Sequence, residues 1–396
     1  MNTVFQRLKG DRVIWMTVLF LGLISLLAVY SSISSLAFKR EGGSTMHFLL
    51  KHGIMLITGG VIMYYVAKQQ FTIYSRLSQL LIGVMAVLLL LTLLLGSNIN
   101  DASRWITIPI INQSFQTSDP AKVVLIVYLA RVLGKHHGEE WTLRDVVLKL
   151  MAPVGVICGL ILPANFSTAA VLFTVCMVIM FVAQVPVKHM LVIIGVAVGA
   201  FLVLLLIADT YPDVLPRLAT WAERLKTFFG SREVDHDANY QVEHAKIAIA
   251  SGGFLPNGPG SGTSRNWLPH PYSDMIYAFI IEEYGSILGG LGLLLLYLIL
   301  LFRAVRIASN CTKPFGALAA IGLGLMLVLQ AMINMAVAVN LVPVTGQPLP
   351  LVSMGGTSVW FTCLAIGIML SVSRGNEDAE PASTTSDVKR PRTALA

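Results

Sequence analysis

Charge is what this sequence lacks most. Of its 396 residues only 12% are Asp, Glu, Lys or Arg, against roughly 25% in soluble domains. A chain so poor in charge cannot hydrate most of its length, which excludes an ordinary soluble enzyme. Cysteine is scarce too: Cys158, Cys176, Cys311 and Cys363 show no metal-like spacing and read as small apolar packing residues. No strand-like run precedes the glycine-rich stretch near 258, which excludes a dinucleotide-binding fold. There is no convincing internal repeat, which counts against transporters built from inverted repeats. No cleavable signal peptide is expected, because the first apolar run is too long and has no small-residue cleavage site. The net charge of +7 does not point to nucleic acid, because the basic residues sit at the ends of apolar runs rather than in one patch.

What is present is apolar: 55% of residues are hydrophobic and the mean hydropathy is +0.74. Runs able to cross a hydrocarbon core of about 30 Å recur along the chain, and in lipid each must be helical to satisfy its own backbone. Spans are expected near 13–35, 47–67, 74–96, 119–134, 149–164, 167–185, 189–208, 275–302, 314–340 and 351–372. Lys and Arg favour one set of ends, among them Lys9, Arg12, Lys68, Arg131, Arg303 and Lys313. An even number of spans then puts both termini in the cytoplasm. The expected fold is an all-α polytopic membrane protein of about ten transmembrane helices. Residues 1–373 form one transmembrane domain, 209–274 a large external loop between spans seven and eight, and 374–396 a disordered cytoplasmic tail.

The segments that could carry chemistry fall at the external ends. In Asp101-Ala-Ser-Arg-Trp-Ile, Arg104 and Trp105 suit the membrane interface. Ser118 is placed to cap the next helix, with Asp119 and Pro120 in its first turn. Lys122 follows Asp119 by three residues and shares its face. A buried ammonium is costly unless paired or facing a polar cavity, so Asp119 with Lys122 is a candidate site. Residues 240–250, with Lys246, read as a short amphipathic helix. In Gly258-Pro-Gly-Ser-Gly-Thr-Ser264, backbone N–H groups could face a phosphate, although flexible turn glycines fit better; Arg265 follows. Asp274 opens the eighth span after Pro269-His-Pro-Tyr-Ser, with Glu282 and Glu283 two turns further in. One acidic helix start is often only a favourable cap. Three carboxylates along one apolar helix point to a polar cavity. His270 reads as structural or substrate-contacting. Val342-Pro-Val-Thr-Gly-Gln-Pro-Leu-Pro350 cannot continue a helix, and such backbone is tolerated at membrane depth only against protein or a water-filled cavity. Asn334 suits helix packing; Thr345, Ser353 and Ser358 are candidates to line the same cavity.

These residues together resemble the SEDS family (shape, elongation, division and sporulation). The resemblance rests on Ser-Arg-Trp-Ile, Phe-Gln-x-Ser-acid-x-x-Lys, Tyr-Gln…Ala-Ile-Ala-Ser-Gly-Gly and Gly-x-Gly-x-Gly-x-Ser. It rests as well on Ser-Asp-Met-Ile-Tyr-Ala-Phe-Ile-Ile-Glu-Glu-Tyr-Gly and Pro-Val-Thr-Gly-x-Pro-Leu-Pro-Leu-Val-Ser-x-Gly-Gly-Thr-Ser. They run in order from about residue 10 to 373. The resemblance implies a peptidoglycan glycosyltransferase of the bacterial inner membrane that uses lipid II. It also implies a class B penicillin-binding transpeptidase and other division proteins as partners. Asp274 matches the family's essential aspartate, and Asp119 with Lys122 its Glu-x-x-Lys pair. The chain departs from the pattern with Asp for Glu at 119, with Pro120, and with Asn165 where the family has Asp. The Ser-Arg-Trp-Ile spelling is closer to the division member than to the elongation member.

On this reading Asp274 takes the proton from a lipid II hydroxyl, and cations stabilise the departing diphosphate. Lys122 and Arg104 are the first candidates for that task, Lys246 and Arg265 the next. A divalent cation, Mg or Mn, at Asp274 stays open, although the sequence has no metal-ligand cluster. The alternatives are a lipid II flippase, an elongation polymerase and a scaffold for division partners.

Overall fold

The protein is described from a computed structural model covering residues 9–33, 45–95, 97–99, 102–108, 113–210, 220–221, 224, 228, 236–267 and 272–379. Ten apolar helical passages occur among these residues. They comprise α1 (Arg12–Ser32), α2 (Thr45–Lys68), α3 (Phe71–Leu95), α4 (Ser118–Lys135), α5 (Ala152–Ile161), α6 (Phe166–Val182) and α7 (Val187–Thr210). After α8 (His236–Gly252) come α9 (Ile276–Tyr284) leading into α10 (Gly292–Ser309), then α11 (Pro314–Ala338) and α12 (Ser358–Ala379). By length and composition seven stretches could cross a membrane: α1, α2, α3, α7, Ile276–Ser309 counted as one although its helix breaks at Gly285, α11 and α12. The other three are α4, which carries Asp119, Lys122, Arg131 and Lys135, and the shorter α5 and α6. The chain is a multi-pass membrane protein.

The centre is α11. Two thirds of its span is buried, against 6% for α7, whose sides are left for lipid. Small residues let neighbours approach α11 closely, as lipid-embedded packing requires. A Cβ on Gly322 would lie 2.5 Å from Ile179 of α6 and 2.8 Å from Ile126 of α4, and one on Gly324 would collide with Ala304 of α10.

The helix ends follow local chemistry. Asp11 caps α1, its Oδ1 accepting from the Val13 and Ile14 amides at 2.9 and 3.3 Å. Pro314 opens α11, where its missing N–H costs nothing. Asn165 caps α6 by accepting from the Thr168 amide at 3.2 Å, which makes the tight α5–α6 hairpin. Ser118 does not cap α4 as expected. The N-cap is Thr117 without a side-chain bond, and Ser118 Oγ instead accepts from Gln116 Nε2 at 2.9 Å.

The all-α expectation holds except for a small antiparallel sheet in which β2 (Ala102–Ile108) lies between β1 (Ser97–Ile99) and β3 (Gln113–Gln116). Phe115 of β3 packs edge-on against Phe361 of α12, centroids 5.4 Å apart. Two expected boundaries also move. The last helix begins at Ser358 instead of 351, because turns and irregular backbone occupy 350–357. Nor does the tail start at 374: α12 runs on to Ala379, with Arg374 donating to the Lys68 carbonyl and Asn376 to that of Ile307. Residues 380–396 lie outside the described residues, as does much of the 209–274 loop.

One end of the bundle gathers the basic groups. Arg303 Nε lies 2.6 Å from the buried Asp11, Arg131 donates to the Ser75 carbonyl at 3.0 Å, and Lys313 stands over the Phe71 ring. Asp274, Glu283 and the 339–357 segment belong to the opposite end.

Candidate active site

Residues 339–357 join α11 to α12 by turns and extended backbone. Its polar groups must therefore find partners in side chains. On α11, Gln330 donates to the Pro348 carbonyl at 2.9 Å, and one turn later Asn334 donates to that of Gln347 at 2.7 Å. Gln347 Nε2 donates to Thr168 Oγ1 on α6 at 2.6 Å. From α1, Ser25 donates to the Val352 carbonyl at 2.8 Å while lying 2.7 Å from His52 Nε2 of α2. Tyr297 of α10 donates to the Pro350 carbonyl. Four helices thus hold one irregular segment as a platform, with His52 of α2 backing Ser25. Ser25 and His52 carried no motif in the sequence, and only the fold reveals their role.

Asp274 is seated on this platform by its own backbone. Its carbonyl accepts from Asn334 Nδ2 at 2.8 Å. The Ser273 carbonyl accepts from Ser353 Oγ at 2.7 Å, and that of Tyr272 from the Met354 amide at 3.0 Å. Ser353 Oγ also accepts from the Leu349 amide at 2.8 Å, so one hydroxyl joins both strands of the junction. The half-buried carboxylate receives a bond from Ser273 Oγ on Oδ1 at 2.6 Å. Its Oδ2 faces Gly346, where an added Cβ would stand 3.6 Å away and where φ is +64°. A glycine there serves the left-handed turn and leaves room beside the free oxygen.

Asp119 and Lys122 form a second cluster behind the platform. Lys122 Nζ lies 2.9 Å from Asp119 Oδ1 and 3.3 Å from Gln330 Oε1. Both residues are buried, and Asp119 Oδ2 has no hydrogen-bond partner among the described residues. They border a small cavity with Gln330, Pro348, Ser358 and Phe361. Gln330 therefore links the ammonium to the same segment that seats Asp274.

The expectation for Glu282 and Glu283 needs correction. They do not project from a continuous apolar helix. The helix ends at Tyr284, and Gly285, with φ +74°, turns the chain into a π-helical turn, Gly285–Leu291, ahead of α10. The short α9 folds back on that turn: Tyr277 Oη donates to the Gly290 carbonyl at 3.2 Å. The two carboxylates hold the glycine-rich loop at the break. Glu283 Oε1 accepts from the Gly260 amide at 2.9 Å and from Ser31 Oγ. Glu282 Oε1 accepts from the Thr263 and Ser264 amides at 2.9 and 3.2 Å. The Asn257 and Gly258 amides donate to the Glu283 carbonyl, each at 3.0 Å. The loop's N–H groups are thus engaged by carboxylates, so it is neither an open phosphate cradle nor a flexible turn.

Among the described residues, the remaining candidates make no hydrogen bond or ion pair with the Asp274 carboxylate. Lys246 is exposed on α8, whose Ala245 and Ala248 face inward. Arg265 is half-buried on the loop, within electrostatic reach of Glu283. The Thr345 carbonyl accepts from Ser167 Oγ at 3.3 Å, while its own Oγ1 is buried without a partner among the described residues. The Arg104 backbone belongs to β2, but its side chain and the whole of His270 lie outside the described parts. Among the described residues no group of three or more His, Cys, Asp or Glu could hold a metal ion.

A family model described as cell cycle protein, that of FtsW, RodA and SpoVE, matches residues 11–378. Similar curated proteins are named "probable peptidoglycan glycosyltransferase FtsW". That of Coxiella burnetii is 30% identical, covering 92% of this chain and 96% of its own length. That of Saccharophagus degradans is 32% identical, covering 91% and 92%. Among solved structures, a chain of a peptidoglycan synthase complex superposes with a TM-score of 0.72 at 24% identity, covering 93% and 98%. The rod shape determining protein RodA of Thermus thermophilus gives 0.66 at 24%, covering 93% and 97%.

Proposed function

The chain belongs to the FtsW, RodA and SpoVE family and is a peptidoglycan glycosyltransferase; on that premise we propose that Asp274 is its general base, acting on lipid II at the outer face of the bacterial cytoplasmic membrane. The observation that carries this reading is the seat of Asp274. The backbone of residues 272–274 is fixed by Met354, Ser353 and Asn334 in turn, while one Asp274 carboxylate oxygen has no hydrogen-bond partner among the described residues and stands beside Gly346. A base must be held within hydrogen-bond reach of the proton it removes, and this carboxylate is held without being enclosed.

Asp274 takes the proton of the 4-hydroxyl of an incoming lipid II sugar. The oxygen attacks the anomeric carbon of the growing strand from the face opposite the leaving group, so the configuration inverts. The anomeric C–O bond breaks, and undecaprenyl diphosphate departs with the electron pair. Developing charge on the diphosphate calls for preorganised cations. Arg104, Lys246 and Arg265 are the candidates on the external segments. Lys122, paired with Asp119 and bonded to Gln330, stiffens the platform and gives the inner cavity its polarity. A class B penicillin-binding transpeptidase is the proposed partner, and the division septum the proposed location, in keeping with the FtsW naming of the relatives.

The test is polymerisation of lipid II by the purified full chain. Asp274→Ala, with an unchanged thermal midpoint, is expected to lose activity by about 10²–10⁴-fold, the usual contribution of a positioned base. Full activity in that variant would overturn the assignment. Relocation of unlengthened lipid II by the wild type, with no strand formed, would replace the polymerase with a flippase.

A further inference from the structure

A polar cavity lies at the other end of the molecule, away from Asp274. It holds about 610 Å³ between the start of α1, the end of α10 and the end of α12. Lys9, Arg12, Arg303 and Arg306 line it, against the carboxylates of Asp11 and Glu377. Asp11 does not offset the other cations, because it is buried and paired to Arg303. Lys9, Arg12 and Arg306 are exposed, and no ion pair of theirs occurs among the described residues. Glu377 is exposed and offsets one of these three cations, so the cavity is open to water and still net positive.

Its depth bears on what fills it. The apolar helices α1 and α10 begin and end at its rim, at Arg12 and Ser309. The mouth thus sits where hydrocarbon gives way to headgroups, at the basic end that the Lys and Arg bias assigns to the cytoplasm. We propose that this cavity binds the phosphate group of an anionic phospholipid of the inner leaflet. Arg12 and Arg306 contact the phosphate, Lys9 adds charge at the mouth, and the Asp11–Arg303 pair forms the fixed wall. Zwitterionic lipid brings its own cation and gains less. General attraction of scattered cytoplasmic cations to an anionic surface would spread the effect over every basic loop. A cavity concentrates it on two arginines.

The experiment follows thermal unfolding of the full chain in a neutral detergent. It is titrated separately with dioctanoyl phosphatidylglycerol, dioctanoyl phosphatidylcholine and inorganic phosphate. Phosphatidylglycerol is expected to raise the midpoint saturably and phosphatidylcholine to leave it unchanged. Because each cation near an anionic headgroup contributes a factor of roughly five in affinity, Arg12→Gln with Arg306→Gln should shift the half-saturating concentration about 25-fold. Both side chains are exposed, so the double variant keeps its fold. Arg144→Gln with Lys188→Gln, basic positions outside the cavity, should shift nothing. Equal stabilisation by both lipids, or a phosphatidylglycerol effect that survives the Arg12–Arg306 change, would overturn the proposal. Equal stabilisation by inorganic phosphate would overturn the lipid as its source.

Discussion

Asn334 shows how much a single buried side chain carries here. Its Nδ2 donates to two backbone carbonyls, of Asp274 and of Gln347, and so fixes the proposed base against the platform. Removing it leaves two carbonyls without that partner, each at a cost of about 1–3 kcal/mol. Asn334→Ala is expected to lower the thermal midpoint and to reduce turnover below the unfolding temperature while Asp274 is still present. A variant with wild-type turnover would show that the carboxylate needs no such seat. The sequence singled out Asn334, Ser353 and Asp274 separately, because each belonged to a recognisable motif. It could not show that they meet, since their contacts span 60 and 80 positions of chain. Asn165 shows what spelling conceals: as Asn it still accepts from the Thr168 amide to start α6.

At the level of elements, the apolar runs were legible because a membrane helix declares itself by length and composition. The break between Tyr284 and Gly292 was not. Apart from Glu282, Glu283 and Ser286, residues 275–302 form one apolar run, and its hydropathy does not separate a straight span from a folded-back one. Only the cluster Gly285, Gly289, Gly290 and Gly292 hinted at it. The break is completed by a partner far along the chain, the 257–264 loop. Glu282 and Glu283 supply acceptors for that loop's amides, and hydrogen bonds to a charged group are worth about 1.5–3 kcal/mol each. Replacing both by Ala should loosen the loop without unfolding the bundle. A protease site in 258–264 is then cut many times faster in detergent, while helical content is retained. Unchanged cleavage would mean that the carboxylates do not hold the loop. The small sheet escaped for a different reason: Arg104 and Trp105 suit an interfacial loop equally well, and β2 is defined by its pairing with β1 and β3.

Over the whole molecule, the two ends differ in kind. One holds exposed cations around the buried Asp11–Arg303 pair; the other holds carboxylates bonded to backbone and hydroxyl groups. Asp11 is buried, whereas Arg303 lines the hydrated cavity, so losing Asp11 costs less than the roughly 3–5 kcal/mol of breaking a fully buried pair. Because the change also removes the cap of α1, Asp11→Ala should destabilise the chain by about 1–3 kcal/mol, and adding Arg303→Leu should recover part of it. A negligible effect of the single change would place the pair in water. The same polarity orients the proposed chemistry, since a base for an external sugar lipid must open to the side opposite the cations. In spheroplasts of cells whose chain has its four native cysteines replaced and Asp274→Cys introduced, a membrane-impermeant maleimide should label residue 274 from outside. Lys313→Cys, at the basic end, should react only after permeabilisation. A thiol at 274 that stays protected until the membrane is opened from the cytoplasmic side would contradict this account.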